Sequence, residues 1–232
     1  MKIADIITEA RVQPDNSIIE IMDGIIDSVQ AQYQDMLDNN GDKDDIDELA
    51  DLFNDEVEDY ELPIEFHVNH EERKDPNEWI SAAASWEGDE EKFIDIILHA
   101  KNLEGSWGPK TFKQYLMRAL AHETIHFGQY DKMGKEKLGQ TQSGHQKGTA
   151  VVAKGGTARD WERMYLRDPH ELMAYGHDLA QEINDTDNPA EVLRSIEKYR
   201  NELPVYNKFR NIFHKESPQI RSLLKYATQY LS

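Results

Sequence analysis

The sequence predicts an α+β fold in which a small β-sheet lies between an N-terminal and a C-terminal set of helices. Three segments between residues 62 and 99 show strand-like alternation, whereas apolar residues on either side recur every three or four positions. The chain has 232 residues, which is long enough to bury a sizeable core, and its high charged fraction of 31% is typical of a helix-rich protein.

Two amphipathic helices are predicted ahead of the strands, over residues 17–37 and 44–59. Ser17 is the expected cap of the first helix, with Glu20 as its capping-box partner. Residues 42–47 contain four aspartates, but the glycine and the terminal glutamate of a calcium-binding loop are missing at the required spacing. We interpret this run as the start of the second helix.

Charge is distributed unevenly along the chain. Residues 1–100 hold 29 acidic and 6 basic residues, for a net charge of -23, whereas residues 101–232 carry a net charge of +4. We therefore divide the chain into an acidic helical N-terminal region, residues 1–60, and a second region, residues 61–232. The acidic half would repel phosphates, so we expect no nucleic-acid partner and no membrane partner.

Compartment and partners are predicted from composition. The chain has no cysteine, its first residues lack the apolar core of a signal peptide, and no apolar run reaches the roughly 20 residues of a membrane span. These observations predict a cytoplasmic protein.

The three strands are predicted over residues 62–68, 79–86 and 92–99. The third is the clearest, because Ile94, Ile96 and Leu98 face one side of the predicted sheet.

A short motif, His122-Glu123-Thr124-Ile125-His126, lies in a predicted helix that begins at Pro109. Two histidines four residues apart share one face of a helix, so both imidazoles can bind one cation. Glu123 occupies a neighbouring part of the helix surface, where it can reach a water molecule on that cation. The alternative is that the motif binds no metal and is only a pair of partly exposed histidines beside a solvated glutamate.

This motif resembles the H-E-x-x-H pattern of the zincins, a broad group of zinc metallopeptidases. The order of three strands followed by the motif helix is also similar to zincin catalytic domains. The resemblance implies a zincin-like domain in which His122 and His126 bind Zn²⁺ and Glu123 is the general base. It further implies that the last strand, residues 93–99, lies at the cleft edge and pairs with an extended peptide substrate.

A third zinc ligand is expected from a downstream helix. The metzincin pattern would need glycine at 129 and histidine at 132, where this chain has Gln129 and Lys132. Glu171-Leu172-Met173-Ala174 resembles the E-x-x-A form of gluzincin-like families, which implies that Glu171 is the ligand. Alternatively, Glu171 completes a capping box with Asp168 at the start of that helix, and His170 or His177 supplies the ligand.

Two further features remain open. Tyr175 or His177 is a candidate stabiliser of the transition state. Residues 131–160 are rich in glycine and lysine and are predicted to form a long, mobile connection, either a lid over the site or a plain flexible loop.

The C-terminal part is predicted to be helical, with packing helices over residues 189–199 and from Pro218 onwards. The chain is most similar to the small zincin-like peptidases of tailed bacteriophages, and its opening, residues 1–9, resembles the openings of such phage proteins. The predicted function is therefore zinc-dependent hydrolysis of peptide bonds in a protein or peptide substrate. The alternative is an acidic phage structural or inhibitory protein whose metal site is structural or vestigial.

Overall fold

A computed structural model describes residues 12–40, 46–71, 79–87, 91–103, 108–133 and 144–231 of the chain. Within these residues the fold is mixed α+β and mostly helical, with one three-stranded sheet, which confirms the predicted fold class at this level. In chain order the elements are α1 (Asn16–Asn40), α2 (Ile46–Asp59), β1 (Ile64–Asn69), β2 (Ile80–Glu87), β3 (Glu91–His99), α3 (Ala100–Leu103), α4 (Pro109–Met133), α5 (Gly144–Ala153), α6 (Ala158–Tyr165), α7 (Pro169–Asn184), α8 (Pro189–Arg194), a 3-10 turn (Arg200–Glu202), α9 (Pro204–Ile212) and α10 (Pro218–Tyr230).

The chain forms two compact units. One unit spans Gln13–Gly128 and contains the sheet together with the acidic helices α1 and α2. The other begins at Gln129, includes Val12, and contains α5 to α10. Helix α4 is continuous across residue 128, so its last turn belongs to the second unit.

The sheet has the strand order β1-β3-β2, with β1 parallel and β2 antiparallel to β3. The prediction that residues 93–99 form a cleft-edge strand is therefore wrong, because β3 is the central strand. The most apolar strand lies at the centre because neighbouring strands and helices cover it fully: Ile94, Ile96 and Leu98 are completely buried.

The core of the first unit forms on one face of this sheet. Side chains from β1 and β3 pack there against apolar residues of α1, α2 and α4. Phe53 of α2 stacks on Phe66 of β1 with ring centroids 4.5 Å apart, and Phe112 of α4 lies 6.0 Å from Phe53. Burial of such aromatic side chains stabilises a fold by roughly 1.5–3 kcal/mol each.

The outer edge of β1 is covered by a side chain. Asn54 of α2 donates a hydrogen bond to the carbonyl of Phe66 (2.9 Å) and accepts one from its N–H (2.7 Å), as a neighbouring strand would. Edge strands with unpaired backbone groups attract other extended chains, and covering an edge removes that tendency. Strand β2 forms the other edge of the sheet.

The prediction of a mobile connection over residues 131–160 is wrong for the described residues of this range, because most of them are helical. Helix α4 extends to Met133, α5 occupies Gly144–Ala153 and α6 begins at Ala158; the predicted loop between α4 and α5, residues 134–143, lies outside the described residues. Gly148, one of the glycines that suggested flexibility, allows close packing instead. A Cβ at Gly148 would lie 2.7 Å from the ring of Trp161 in α6.

Helix boundaries differ from the predictions where capping decides them. The first helix begins at Asn16, and the Asp15 carboxylate accepts the N–H of Ser17, so Asp15 rather than Ser17 is the capping residue. The helix predicted over residues 189–199 ends at Arg194. Helix α9 was not predicted; it begins at Pro204 and buries Tyr206 and Phe209. No helix among the described residues is long and apolar enough to cross a membrane.

Gly176 allows the close packing of α7 against α10 to be tested. A Cβ there would lie 2.4 Å from the Cβ of Tyr226 in α10, so Gly176→Ala should destabilise the protein by about 1–3 kcal/mol. The matched control is Gly24→Ala in α1, where a Cβ meets nothing within 4 Å. That substitution should stabilise the helix by up to about 1 kcal/mol. Urea unfolding followed by circular dichroism measures both, and equal stability of the two variants would contradict this packing.

Candidate metal centre

The His-Glu-x-x-His motif lies on helix α4, as predicted. His122 is buried and His126 is half-buried, and their ring centroids are 5.1 Å apart in an edge-to-face arrangement. The spacing of four residues aligns the two imidazoles along one stripe of the helix. Side chains aligned in this way can bind one ion together.

Glu123 is held by the backbone of strand β2. The residue is 8% exposed, and its Oε2 accepts a hydrogen bond from the N–H of Ala84 at 2.7 Å. Burial of a carboxylate is unfavourable unless hydrogen bonds compensate it, and this bond supplies one. The bond also orients the carboxylate, whose remaining lone pairs can accept a proton.

The stripe that carries both histidines continues to Gln129. Positions 122, 126 and 129 are related by steps of four and three residues, so they share one face of α4. Gln129 is buried, and its Nε2 donates a hydrogen bond to the carbonyl oxygen of His170 at 3.1 Å. His170 directly precedes Glu171 in the first turn of α7. Gln129, which occupies the position of the metzincin glycine, therefore contacts the segment that carries the predicted third ligand.

Helix α7 is capped by Asp168. The Asp168 carboxylate accepts a hydrogen bond from the backbone N–H of His170 at 2.9 Å. The backbone N–H of Asp168 donates a hydrogen bond to the carbonyl oxygen of Tyr165. Burial raises the pKa of Asp168, but hydrogen bonds from His170 outweigh this effect and hold the pKa below its usual value. The cap is therefore made by Asp168 and does not require the Glu171 carboxylate.

Tyr175 follows Glu171 by one turn on the same face of α7. The Lys208 ammonium of α9 lies 2.7 Å from the Tyr175 hydroxyl oxygen and 4.6 Å from the centre of its ring. Burial opposes the charge of Lys208, but the interactions with Tyr175, Glu162 and Glu171 outweigh it and raise the pKa of the ammonium group. Sequence reasoning missed Lys208, because no motif or spacing links it to α7.

The other two candidate histidines have different surroundings. The His170 imidazole lies 3.1 Å from the Asp168 carboxylate. His177 is buried and packs edge-to-face on Tyr230 of α10, with ring centroids 5.1 Å apart. Positions 171 and 177 are about 120° apart around a helix, so His177 does not share the face of α7 that carries Glu171.

His122 and His126 belong to the first unit and Glu171 to the second, and all three side chains are of types that bind metal ions. Two imidazole nitrogens and one carboxylate oxygen are a ligand set of catalytic zinc sites, and such sites leave a fourth position for water. The residues present therefore fit zinc in their chemistry.

Comparison of the chain with protein-family models, with curated proteins and with solved structures gives no match. The assignment of chemistry therefore depends on the residues and their geometry.

Proposed function

We propose that this protein is a zinc-dependent peptidase in which His122, His126 and Glu171 bind the metal and Glu123 is the general base. The observation that carries the proposal is the burial of Glu123 beside the two aligned histidines, with one carboxylate oxygen bonded to Ala84. A structural pair of surface histidines gives no reason to bury a carboxylate between them. A general base that must be held away from bulk water does give a reason to bury a carboxylate beside the histidines.

The hydrogen bond of Gln129 supports Glu171 as the third ligand. Gln129 lies on the histidine stripe of α4, and its amide contacts the residue that precedes Glu171. Since Asp168 caps α7, the cap does not require the Glu171 carboxylate. Of the two alternatives, His177 packs against α10 and the His170 imidazole contacts Asp168, so both are engaged elsewhere.

The proposed reaction is hydrolysis by a water molecule. Zinc, when bound, would lower the pKa of a coordinated water to about 7 and polarise the scissile carbonyl. Glu123 Oε1 accepts a proton from the attacking water, while Oε2 stays bonded to the N–H of Ala84. Glu123 then passes this proton to the leaving amine.

Tyr175 is the proposed donor to the oxygen that becomes negatively charged. An ammonium group only donates hydrogen bonds, so the Tyr175 oxygen accepts from Lys208 and its own hydrogen points elsewhere. Lys208 would then act as a positioning residue that directs this hydroxyl. A donor aimed at the developing charge commonly contributes about 10²–10³-fold to the rate.

The edge strand β2 is the proposed docking strand for substrate, in place of the predicted residues 93–99. It forms an edge of the sheet, and its Ala84 N–H contacts the general base. An extended peptide that adds to this edge would pass beside Glu123. The opposite edge, at β1, is covered by Asn54.

A zincin-like domain and a bacteriophage origin remain part of this proposal, as does the expectation of a protein or peptide substrate. The alternative, an acidic interaction protein with a structural metal site, uses the same zinc ligands without hydrolysis. The role of Glu123 separates these two functions.

Replacement of the proposed base tests the function. Glu123→Gln should bind zinc as the parent does but should lose about 10²–10⁴-fold in hydrolysis of an unstructured protein such as casein, because an amide cannot accept the proton. The matched control is Glu58→Gln, at an exposed glutamate of α2. It should cleave at the parental rate. A zinc-loaded parent that does not cleave would favour the interaction protein, and cleavage by Glu123→Gln at the parental rate would exclude Glu123 as the base.

The third ligand is tested by comparing Glu171→Ala with Asp168→Ala. Loss of the cap in Asp168→Ala should cost about 0.5–2 kcal/mol but leave zinc affinity nearly unchanged. Loss of a ligand in Glu171→Ala should abolish most of the stabilisation by zinc at this centre, which reaches about 2.7 kcal/mol at a concentration of 100 times the Kd. Thermal melting with and without zinc measures both. Equal stabilisation of Glu171→Ala and the parent by zinc would contradict the assignment.

A further inference from the structure

A second group of ligand-type side chains lies on the sheet, on the face opposite the core of the first unit. Glu65 and His67 are two residues apart on β1, so their side chains point to the same face. Asp95 on β3 is directly opposite Glu65 in the strand register. Three potential ligands are thus brought together by the pairing of two strands.

The distances between their ligand atoms suit a small divalent cation. His67 Nε2 lies 3.3 Å from Asp95 Oδ1 and 3.8 Å from Glu65 Oε2, and the three ligand atoms all lie within 4.8 Å of one another. A tetrahedral zinc ion with bonds of about 2.0–2.2 Å holds its ligand atoms roughly 3.3–3.6 Å apart. Small side-chain rotations would therefore complete the geometry.

The charges at this position also favour a cation. Glu65 and Asp95 are like charges on directly opposed residues, an arrangement that destabilises a strand pair. A divalent cation bound between them neutralises both carboxylates. The sequence segment that contains the group, residues 1–100, has a net charge of -23, which attracts cations.

A third strand orients one of the ligands. Ser85 of β2 donates a hydrogen bond from Oγ to Asp95 Oδ2 at 3.1 Å, while Oδ1 is the oxygen nearest His67. Hydrogen bonds to a ligating carboxylate fix its orientation and commonly contribute 10–100-fold to metal affinity. All three strands of the sheet therefore contribute to this group.

We propose that Glu65, His67 and Asp95 form a second divalent-cation site, separate from the candidate metal centre. The imidazole favours zinc over calcium or magnesium, which prefer oxygen ligands only. The side chains of Glu65 and His67 are 62% and 45% exposed, so an ion enters from solvent and water completes its coordination. Since its ligands come from two strands, the ion ties β1 to β3 and stabilises the sheet.

Zinc stoichiometry and affinity of the full chain, measured by metal analysis after dialysis and by calorimetric titration, test the proposal. The parent should bind two zinc ions, and a His122→Ala, His126→Ala variant should retain one. Addition of His67→Ala, or separately of Asp95→Asn, should remove that remaining ion. Ser85→Ala in the same background should weaken it by about 10–100-fold.

The matched control is His70→Ala. His70 also contacts a carboxylate, Asp47 at 3.1 Å, but it belongs to no group of three ligands among the described residues. This variant should leave the retained ion unaffected. The proposed site would be contradicted if the retained zinc ion stayed bound in both the His67→Ala and the Asp95→Asn variants. It would also be contradicted if His70→Ala weakened binding of that ion as much as these substitutions do. Loss of all zinc from the His122→Ala, His126→Ala variant would overturn it too. A parent that binds only one ion, lost on His67→Ala and kept on His122→Ala, would support this site and contradict the proposed catalytic centre.

Discussion

The hydrogen bond from the Ala84 N–H to the Glu123 carboxylate is the interaction on which the proposed chemistry depends. It joins an edge strand to the motif helix, and it allows a carboxylate to be buried at a position where the neighbouring histidines need space for an ion. Without such a donor, burial of the carboxylate would be unfavourable. The same bond orients the carboxylate beside the two histidines.

The acidic residues Asp168, Glu171 and Glu182 in and next to α7 differ in their roles. Asp168 caps α7. Glu182, near the other end of α7, accepts a hydrogen bond from the N–H of Val205. This bond caps α9, whose own N-cap residue, Leu203, has no side-chain acceptor. This second cap fixes the start of α9, and one turn later Lys208 reaches Tyr175. Glu171 is the acidic residue of the first turn that neither cap uses. Asp168 thus stabilises the start of α7 and Glu182 the start of α9, whereas Glu171 is the proposed zinc ligand.

Much of the local structure was predictable from sequence, because short-range patterns determine it. Alternation located all three strands, and the motif predicted the helix that carries His122 and His126. Strand order was mispredicted, because it depends on tertiary packing: the most apolar strand became central rather than lying at the edge. Helix α5 was missed since its glycines suggested a loop, whereas Gly148 in fact accommodates Trp161.

Contacts between distant residues could not be predicted from spacing. The sequence separates Lys208 from Tyr175 by 33 positions and Asp95 from His67 by 28. Only the two-residue spacing of Glu65 and His67 signalled a shared face, and the third member of that group depends on the parallel pairing of β1 with β3. Glu171 was predicted as a ligand because it begins a short E-x-x-A motif, and the contact of Gln129 with His170 is an observation that supports the proposal.

X-ray absorption at the zinc edge tests the central claim most directly. The His67→Ala variant, loaded with one equivalent of zinc, restricts the measurement to the proposed catalytic centre. The predicted spectrum contains two imidazole ligands at about 2.0–2.1 Å and oxygen ligands at about 2.0–2.2 Å. Replacement of His126 by alanine should reduce the imidazole count to one. A spectrum with fewer than two imidazoles in the His67→Ala variant would contradict the assignment of His122 and His126 as ligands of one zinc ion.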